Sequence, residues 1–174
     1  MAKYEAIRPS GAKPICVLGI SDVVVLEDEP TVPVTVHRVS AWGKWSRDVA
    51  IPDAASRKLA ELAEAFDVVW ASEWGHNAHT ALRGVLDLPA EPWPFLPVQF
   101  DKIDAVRRYA DGLPWVWLDS RVVDLQIKDP DEHRHGEIIV RLDPSEGIAG
   151  LDVAELIARV GGLRTDGAPT YFEP

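Results

Sequence analysis

Short apolar runs that end in small polar residues recur along this sequence. ICVLGI at 15–20, DVVWAS at 67–72 and WVWLD at 115–119 are three of them, and EIIVRLD at 137–143 is a fourth. Continuous apolar runs of this length are typical of strands that are buried on both faces of a parallel sheet. The pattern therefore predicts a sheet built largely from these four segments.

Between the first two runs, the apolar residues change from a continuous run to every second position. VTVHRVSAWGKWSRDVAI alternates apolar and polar residues on either side of Gly43, which predicts a β-hairpin with arms near 34–39 and 47–51. Helical spacing follows in DAASRKLAELAEAF, for which Pro52-Asp53 offers an N-cap. The last predicted helix, LDVAELIARVGGL, closes at glycine. In chain order the predicted helices are 53–66, 76–86, 101–111 and 151–163.

Strands that alternate with helices predict an α/β fold, with a parallel sheet covered on both faces in a three-layer, Rossmann-like arrangement. No repeat or linker divides the chain, so we expect one domain over residues 14–164. Residues 1–13 are interpreted as a flexible N-terminal arm and residues 165–174 as a C-terminal tail.

Composition narrows the class of protein. The 174 residues carry a net charge of −10, which disfavours broad binding to nucleic acid without excluding a local basic groove. No apolar run approaches the roughly 20 residues of a membrane helix, and the N-terminus lacks a secretory pattern, so a cytoplasmic protein with no membrane partner is expected. The single cysteine, Cys16, lies inside an apolar run and is interpreted as a buried structural thiol.

Candidate site residues follow the predicted strands. Gly19-Ile20-Ser21-Asp22, Ala71-Ser72-Glu73-Trp74 and Leu118-Asp119-Ser120 stand where three strands end, and Lys102 begins a predicted helix that can reach the same edge. In open parallel sheets, ligands bind at the carboxyl edge. Each residue also has a structural interpretation: Ser72 as a helix cap, Lys102 as a surface lysine and Asp119 as a turn residue.

The order of these pieces resembles the haloacid dehalogenase (HAD) superfamily of phosphohydrolases. More narrowly, the chain looks like small HAD domains of actinobacteria and their phages, related to those attached to RNA-repair proteins. The resemblance covers about Lys13 to Leu163. It is carried by the first strand, the hairpin, VVWASEW, FDKIDAVRRYA, PWVWLDS and IIVRLDPSEGIAGLDVAELIARV.

The resemblance implies a phosphatase site of four parts. An Asp-x-Asp pair at the end of the first strand supplies the nucleophile and the acid/base, and a serine matched by Ser72 holds phosphoryl oxygens. A lysine matched by Lys102 neutralises phosphate charge, and Asp119 helps to hold Mg²⁺. The hairpin acts as a small flap over the site, so Trp42, Lys44 and Trp45 are flap candidates that stack on a base, contact a partner protein or pack on the body.

This sequence departs from the pattern at the catalytic pair. Gly19 stands at the nucleophile position, Ser21 at the acid/base position and Asp22 where the family usually has glycine. Ser120 stands where close relatives often carry aspartate. Asp124 is a weak candidate for a distal metal ligand beside Asp119.

These departures predict a catalytically inactive HAD-like protein without a cofactor. Its expected role is binding or regulation, with a phosphorylated ligand, a nucleic-acid end or a protein as partner. One alternative is an active Mg²⁺-dependent phosphatase or nucleotidase that uses Asp22 and Asp119. Another is an interaction subunit that self-associates. Histidine pairs at 76/79 and 133/135 are metal candidates only against the stronger interpretation of ordinary structural and surface residues.

Overall fold

The computed structural model of the chain describes residues 13–41, 45–97, 102–121, 123 and 136–165. Most of the predicted arm at 1–13 and tail at 165–174 falls outside these ranges. In chain order the elements are β1 (Ile15–Leu18), β2 (Val34–Ala41), β3 (Trp45–Pro52), α1 (Ala55–Ala65), β4 (Asp67–Trp70), α2 (Asn77–Leu82), α3 (Lys102–Ala110), β5 (Trp115–Asp119), β6 (Glu137–Arg141), a 3₁₀ helix (Gly147–Gly150) and α4 (Val153–Thr165).

The main sheet has four strands in the order β4-β1-β5-β6, and all its pairings are parallel. β1 lies in the middle, with Leu18 opposite Trp70 of β4 and Leu118 of β5. Every residue of β1 and β5 is buried. These pairings confirm the parallel sheet that the apolar runs predicted. The prediction succeeded because strands covered on both faces need apolar residues at every position.

Helices and the hairpin cover the two faces of the sheet unequally. Cys16 and Leu18 of β1 face a large core that includes α1, α2, α4 and the hairpin. Ile15 and Val17 face a smaller core against α3. The α/β class and the covering of both faces are therefore as predicted. Among the described residues, no helix is long and apolar enough to cross a membrane.

Strands β2 and β3 form the predicted antiparallel hairpin, in a register that pairs Val34 with Pro52 and Val39 with Arg47. Val39 and Val49 are buried on the inner side, whereas Val36 on the outer side is 65% exposed. The Leu26 N–H donates to the Ala50 carbonyl at 2.9 Å, which ties the hairpin to the loop after β1. The hairpin is thus held over the carboxyl side of the sheet.

Some predicted helix ends differ. Asp53 does not cap α1: Ala54 precedes the helix without a side-chain cap, and Asp53 Oδ1 accepts a 2.7 Å hydrogen bond from Thr35 Oγ1 instead. α2 ends at Leu82 rather than near residue 86. α4 continues through Gly161 and Gly162 to Thr165, so the predicted end of this helix at glycine is wrong.

Candidate functional site

Gly19 and Asp119 meet at the carboxyl edge of the central strands. Leu18 is opposite Leu118, and the Gly19 N–H donates to the Leu118 carbonyl at 3.0 Å. Side chains alternate between faces along a strand, so residue 19 and Asp119 share the face on which Val17 and Trp117 pack against α3. The sequence prediction that these strand ends come together is borne out for this pair.

The Asp119 carboxylate is fully buried and satisfied by protein groups. Lys102 Nζ lies 2.9 Å from Oδ2, and the two side chains are only 7% and 2% exposed. The Trp117 indole N–H donates to Oδ2 at 3.1 Å, and the Ser120 backbone N–H donates to Oδ1 at 2.9 Å. Charge pairing and two further hydrogen bonds supply what a buried carboxylate needs in place of water.

This carboxylate fills the space beside Gly19. A β-carbon added to Gly19 would lie 2.6 Å from Asp119 Oδ1 and 2.8 Å from Oδ2, far inside van der Waals contact. Glycine at this position therefore has a steric cause, which is the inward-turned carboxylate on the neighbouring strand.

The other predicted phosphatase residues make local contacts. Ser72 is buried, and its Oγ accepts the Trp74 backbone N–H at 3.2 Å, so the serine closes the turn after β4. Asp22 has a positive φ of 60°, and its Oδ1 accepts the Glu27 backbone N–H at 3.1 Å. Ser120 Oγ donates to the Leu142 carbonyl at 3.1 Å.

The described residues do not fit a Mg²⁺ site. Within them, no group of three or more His, Cys, Asp or Glu side chains is placed to hold a metal ion. Both Asp119 oxygens already accept protein donors, and one is paired with the Lys102 cation. A hard dication needs several free oxygen ligands. Asp124, the second metal candidate, lies outside the described residues.

His79 is held by backbone groups on both ring nitrogens. The Trp93 N–H donates to Nδ1 at 3.3 Å, and Nε2 lies 2.9 Å from the Pro89 carbonyl. Because a backbone N–H can only donate, Nδ1 accepts and Nε2 carries the proton that the carbonyl receives. The His76/His79 metal alternative therefore fails at His79, which fastens the 89–93 connector to α2. His133 and His135 lie outside the described residues.

The hairpin packs on Trp74, which lies in the turn after β4. The Trp45 ring meets the Trp74 ring edge-on, with centroids 5.4 Å apart, and Trp45 remains 37% exposed. The Arg47 guanidinium lies 5.7 Å from the Trp74 ring centroid. Of the flap candidates, Trp45 thus both packs on the body and presents surface, while Trp42 and Lys44 lie outside the described residues.

An acidic loop joins the hairpin to the end of β5. Arg47 Nη2 lies 2.6 Å from Glu27 Oε1, and Arg121 pairs with Asp28. Sequence reasoning assigned no site role to Arg47, Arg121 or Trp117. For Trp117 a signal existed, because a residue two before Asp119 on a strand must share its face. Nothing local in the sequence pairs Arg121 with Asp28.

Within the described ranges, the pKa values of two ionisable groups are shifted for clear reasons. Complete burial raises the pKa of the Cys16 thiol far above its ordinary range. Hydrogen bonds from the Ser145 hydroxyl and backbone N–H lower the pKa of the exposed Asp143 carboxyl. The stabilisation from Asp143 is therefore present above the ordinary carboxyl pKa and is lost as pH falls through the lower folded value.

Comparison with known proteins adds no assignment. No protein-family model matches the chain, and no curated protein or solved structure matches it. The fold and the site geometry are consequently the basis for any function.

Proposed function

We propose that this chain is a HAD-like protein that has lost phosphatase chemistry and acts by binding. The observation that carries the proposal is the Asp119 carboxylate lying against Gly19, 2.6 Å from where a β-carbon would stand. The resemblance implies a nucleophilic aspartate at position 19. Here the site has no side chain at that position, and a neighbouring carboxylate takes up the space.

The Lys102–Asp119 pair supports the same conclusion. In the implied phosphatase site, the lysine would neutralise phosphate and the aspartate would hold metal. In this chain the two charges are buried and pair with each other at 2.9 Å. Leaving one member of a buried pair without its partner typically costs about 3–5 kcal/mol, and phosphate on Lys102 or Mg²⁺ on Asp119 would leave the other charge in that state.

The arrangement of elements also supports the proposal. The first strand is central, a hairpin follows it, and α3 delivers Lys102 to the strand ends. The phosphatase alternative with Asp22 has no comparable support. Asp22 accepts the Glu27 backbone N–H, and both Asp119 oxygens are taken by protein donors.

Hydrolysis of p-nitrophenyl phosphate with Mg²⁺ tests the loss of catalysis. The wild-type chain is expected to be inert. Turnover that disappears in Asp119→Asn would overturn the proposal, because a residue proposed to be locked in an ion pair would then be working in catalysis.

A variant with aspartates at positions 19 and 21, the Asp-x-Asp pair that the resemblance implies, tests the site assignment. In Gly19→Asp/Ser21→Asp, the new carboxylate forces Asp119 away from residue 19, so the variant is expected to melt below wild type in chelator. If the assignment holds, three carboxylates then surround one position and Mg²⁺ raises the melting temperature of the variant but not of wild type. Gly84→Asp is the matched control, since nothing lies within 4 Å of a β-carbon there. An equal Mg²⁺ response in this control, or none in Gly19→Asp/Ser21→Asp, contradicts the assignment.

A further inference from the structure

Two arginines at the carboxyl side of the sheet hold an acidic loop of the same chain. Arg47 of β3 pairs with Glu27, and Arg121 pairs with Asp28. Glu27 and Asp28 are consecutive, so the loop presents two linked anionic groups to two guanidinium groups. Arginine forks match carboxylates and phosphates equally well in geometry.

Both arginines stand at the strand-end edge but take no part in the buried ion pair. Arg121 follows Asp119 by two residues at the end of β5. Arg47 lies over Trp74, which follows the buried Ser72 by two residues after β4. The two guanidinium groups are therefore anchored beyond the ends of the two strands that flank β1.

The acidic loop is bound only weakly by these two arginines. The side chains of the Arg47–Glu27 pair are 41% and 42% exposed, and those of the Arg121–Asp28 pair are 55% and 44% exposed. Exposed ion pairs contribute little to stability, because water screens both charges. A ligand with two linked anionic groups can displace the loop at little cost.

An aromatic surface lies beside the Arg47 end. Trp45 and Arg47 are two apart on β3 and both contact Trp74. Trp45 keeps 37% of its surface exposed at this position. Indole rings stack on planar ligand rings, and proteins commonly bind bases by stacking them on aromatic side chains.

We propose that Arg47, Arg121 and Trp45 form a site for a nucleoside diphosphate, which Glu27 and Asp28 occupy in the free chain. The diphosphate replaces the two carboxylates, and the base stacks on Trp45. The inference rests on the proposed function, since it names what the non-catalytic protein binds, but it uses none of the residues of the buried Lys102–Asp119 pair.

Calorimetric titration of the full chain with ADP in chelator tests the site. Arg47→Gln, Arg121→Gln and Trp45→Leu are each expected to weaken binding by about fivefold, which corresponds to about 1 kcal/mol. Arg57→Gln is the matched control, because Arg57 is an exposed arginine paired with Glu61 on α1. Its affinity for ADP should equal that of wild type.

Neutralising the two loop carboxylates should change the affinity for ADP in the opposite direction. Glu27→Gln/Asp28→Asn is expected to tighten ADP binding by about fivefold, since it removes both the competing carboxylates and their repulsion of phosphate. A purely structural role for these ion pairs predicts weaker binding instead. Pyrophosphate and adenosine, titrated separately, should each bind more weakly than ADP.

Several results would overturn the nucleotide site. One is no heat with millimolar ADP for both wild type and Glu27→Gln/Asp28→Asn. Another is binding that Arg57→Gln weakens as much as Arg121→Gln. A Glu-Asp-Glu peptide that competes as well as ADP would assign the site to an acidic protein segment instead. ADP binding without phosphatase turnover supports both proposals; turnover overturns only the loss of catalysis, and absent binding overturns only the site.

Discussion

At position 19, any side chain meets a carboxylate that the rest of the site holds in place. Lys102, Trp117 and Ser120 all donate to Asp119, so the carboxylate cannot move away without leaving partners behind. A methyl group would lie 2.6 Å from Oδ1. Tolerance at residue 19 therefore depends on residue 119 rather than on backbone conformation.

Gly19→Ala is expected to lower the free energy of unfolding by about 1–3 kcal/mol, the usual cost of overpacking. Gly84→Ala, at a glycine with open space around it, should have little effect. Urea unfolding followed by circular dichroism measures both. In an Asp119→Ala background the Gly19→Ala change should cost much less, because the clashing atoms are absent. An equal cost in both backgrounds would show that the contact is not responsible.

Among the elements, the connector after α2, residues 89–96, is held to that helix by the side chain of His79. His79 bonds the Pro89 carbonyl and the Trp93 N–H, and its ring lies 5.8 Å from that of Trp93. Trp93 in turn packs on the Trp70 ring, and the backbone N–H of Trp70 donates to the Pro94 carbonyl at 2.9 Å. The connector is thus attached to α2 through His79 and to β4 through its own backbone.

His79→Ala is expected to lower the free energy of unfolding by about 1–3 kcal/mol, since two part-buried backbone groups lose their partner. It should also speed proteolytic cleavage within residues 89–96. Thr80→Ala, next to His79 on α2 at an exposed position, is the control and should leave the cleavage rate near that of wild type. Similar cleavage rates in both variants would mean that His79 does not hold the connector.

Elements were predictable where one period dominates the local sequence. The four sheet strands and the hairpin appear where the apolar runs and the alternation placed them. The sequence also predicted that Gly19 and Asp119 lie at the same edge of the sheet. Their direct contact could not be predicted, because it depends on the register between strands and on the rotamer of Asp119. The His79 bonds and the Arg121–Asp28 pair join residues far apart in the chain with no local signal.

Across the whole molecule, Cys16 reports on global opening. It lies in the central strand β1 and is fully buried, and burial raises its pKa. Neither access nor a thiolate is available in the folded state. Alkylation is therefore expected to proceed at the rate of global unfolding, measured by mass spectrometry beside urea-jump fluorescence. Modification that is much faster than unfolding would contradict this burial.

The contact between Gly19 and Asp119 also constrains how related sequences can diverge. A mutation that adds a side chain at position 19 is penalised while an inward aspartate stands at 119, and the aspartate is favoured only where residue 19 is glycine. The two positions should therefore change together among relatives. A lineage that carries this pair cannot acquire a larger residue at position 19 in a single tolerated step, because residue 119 has to change first or at the same time.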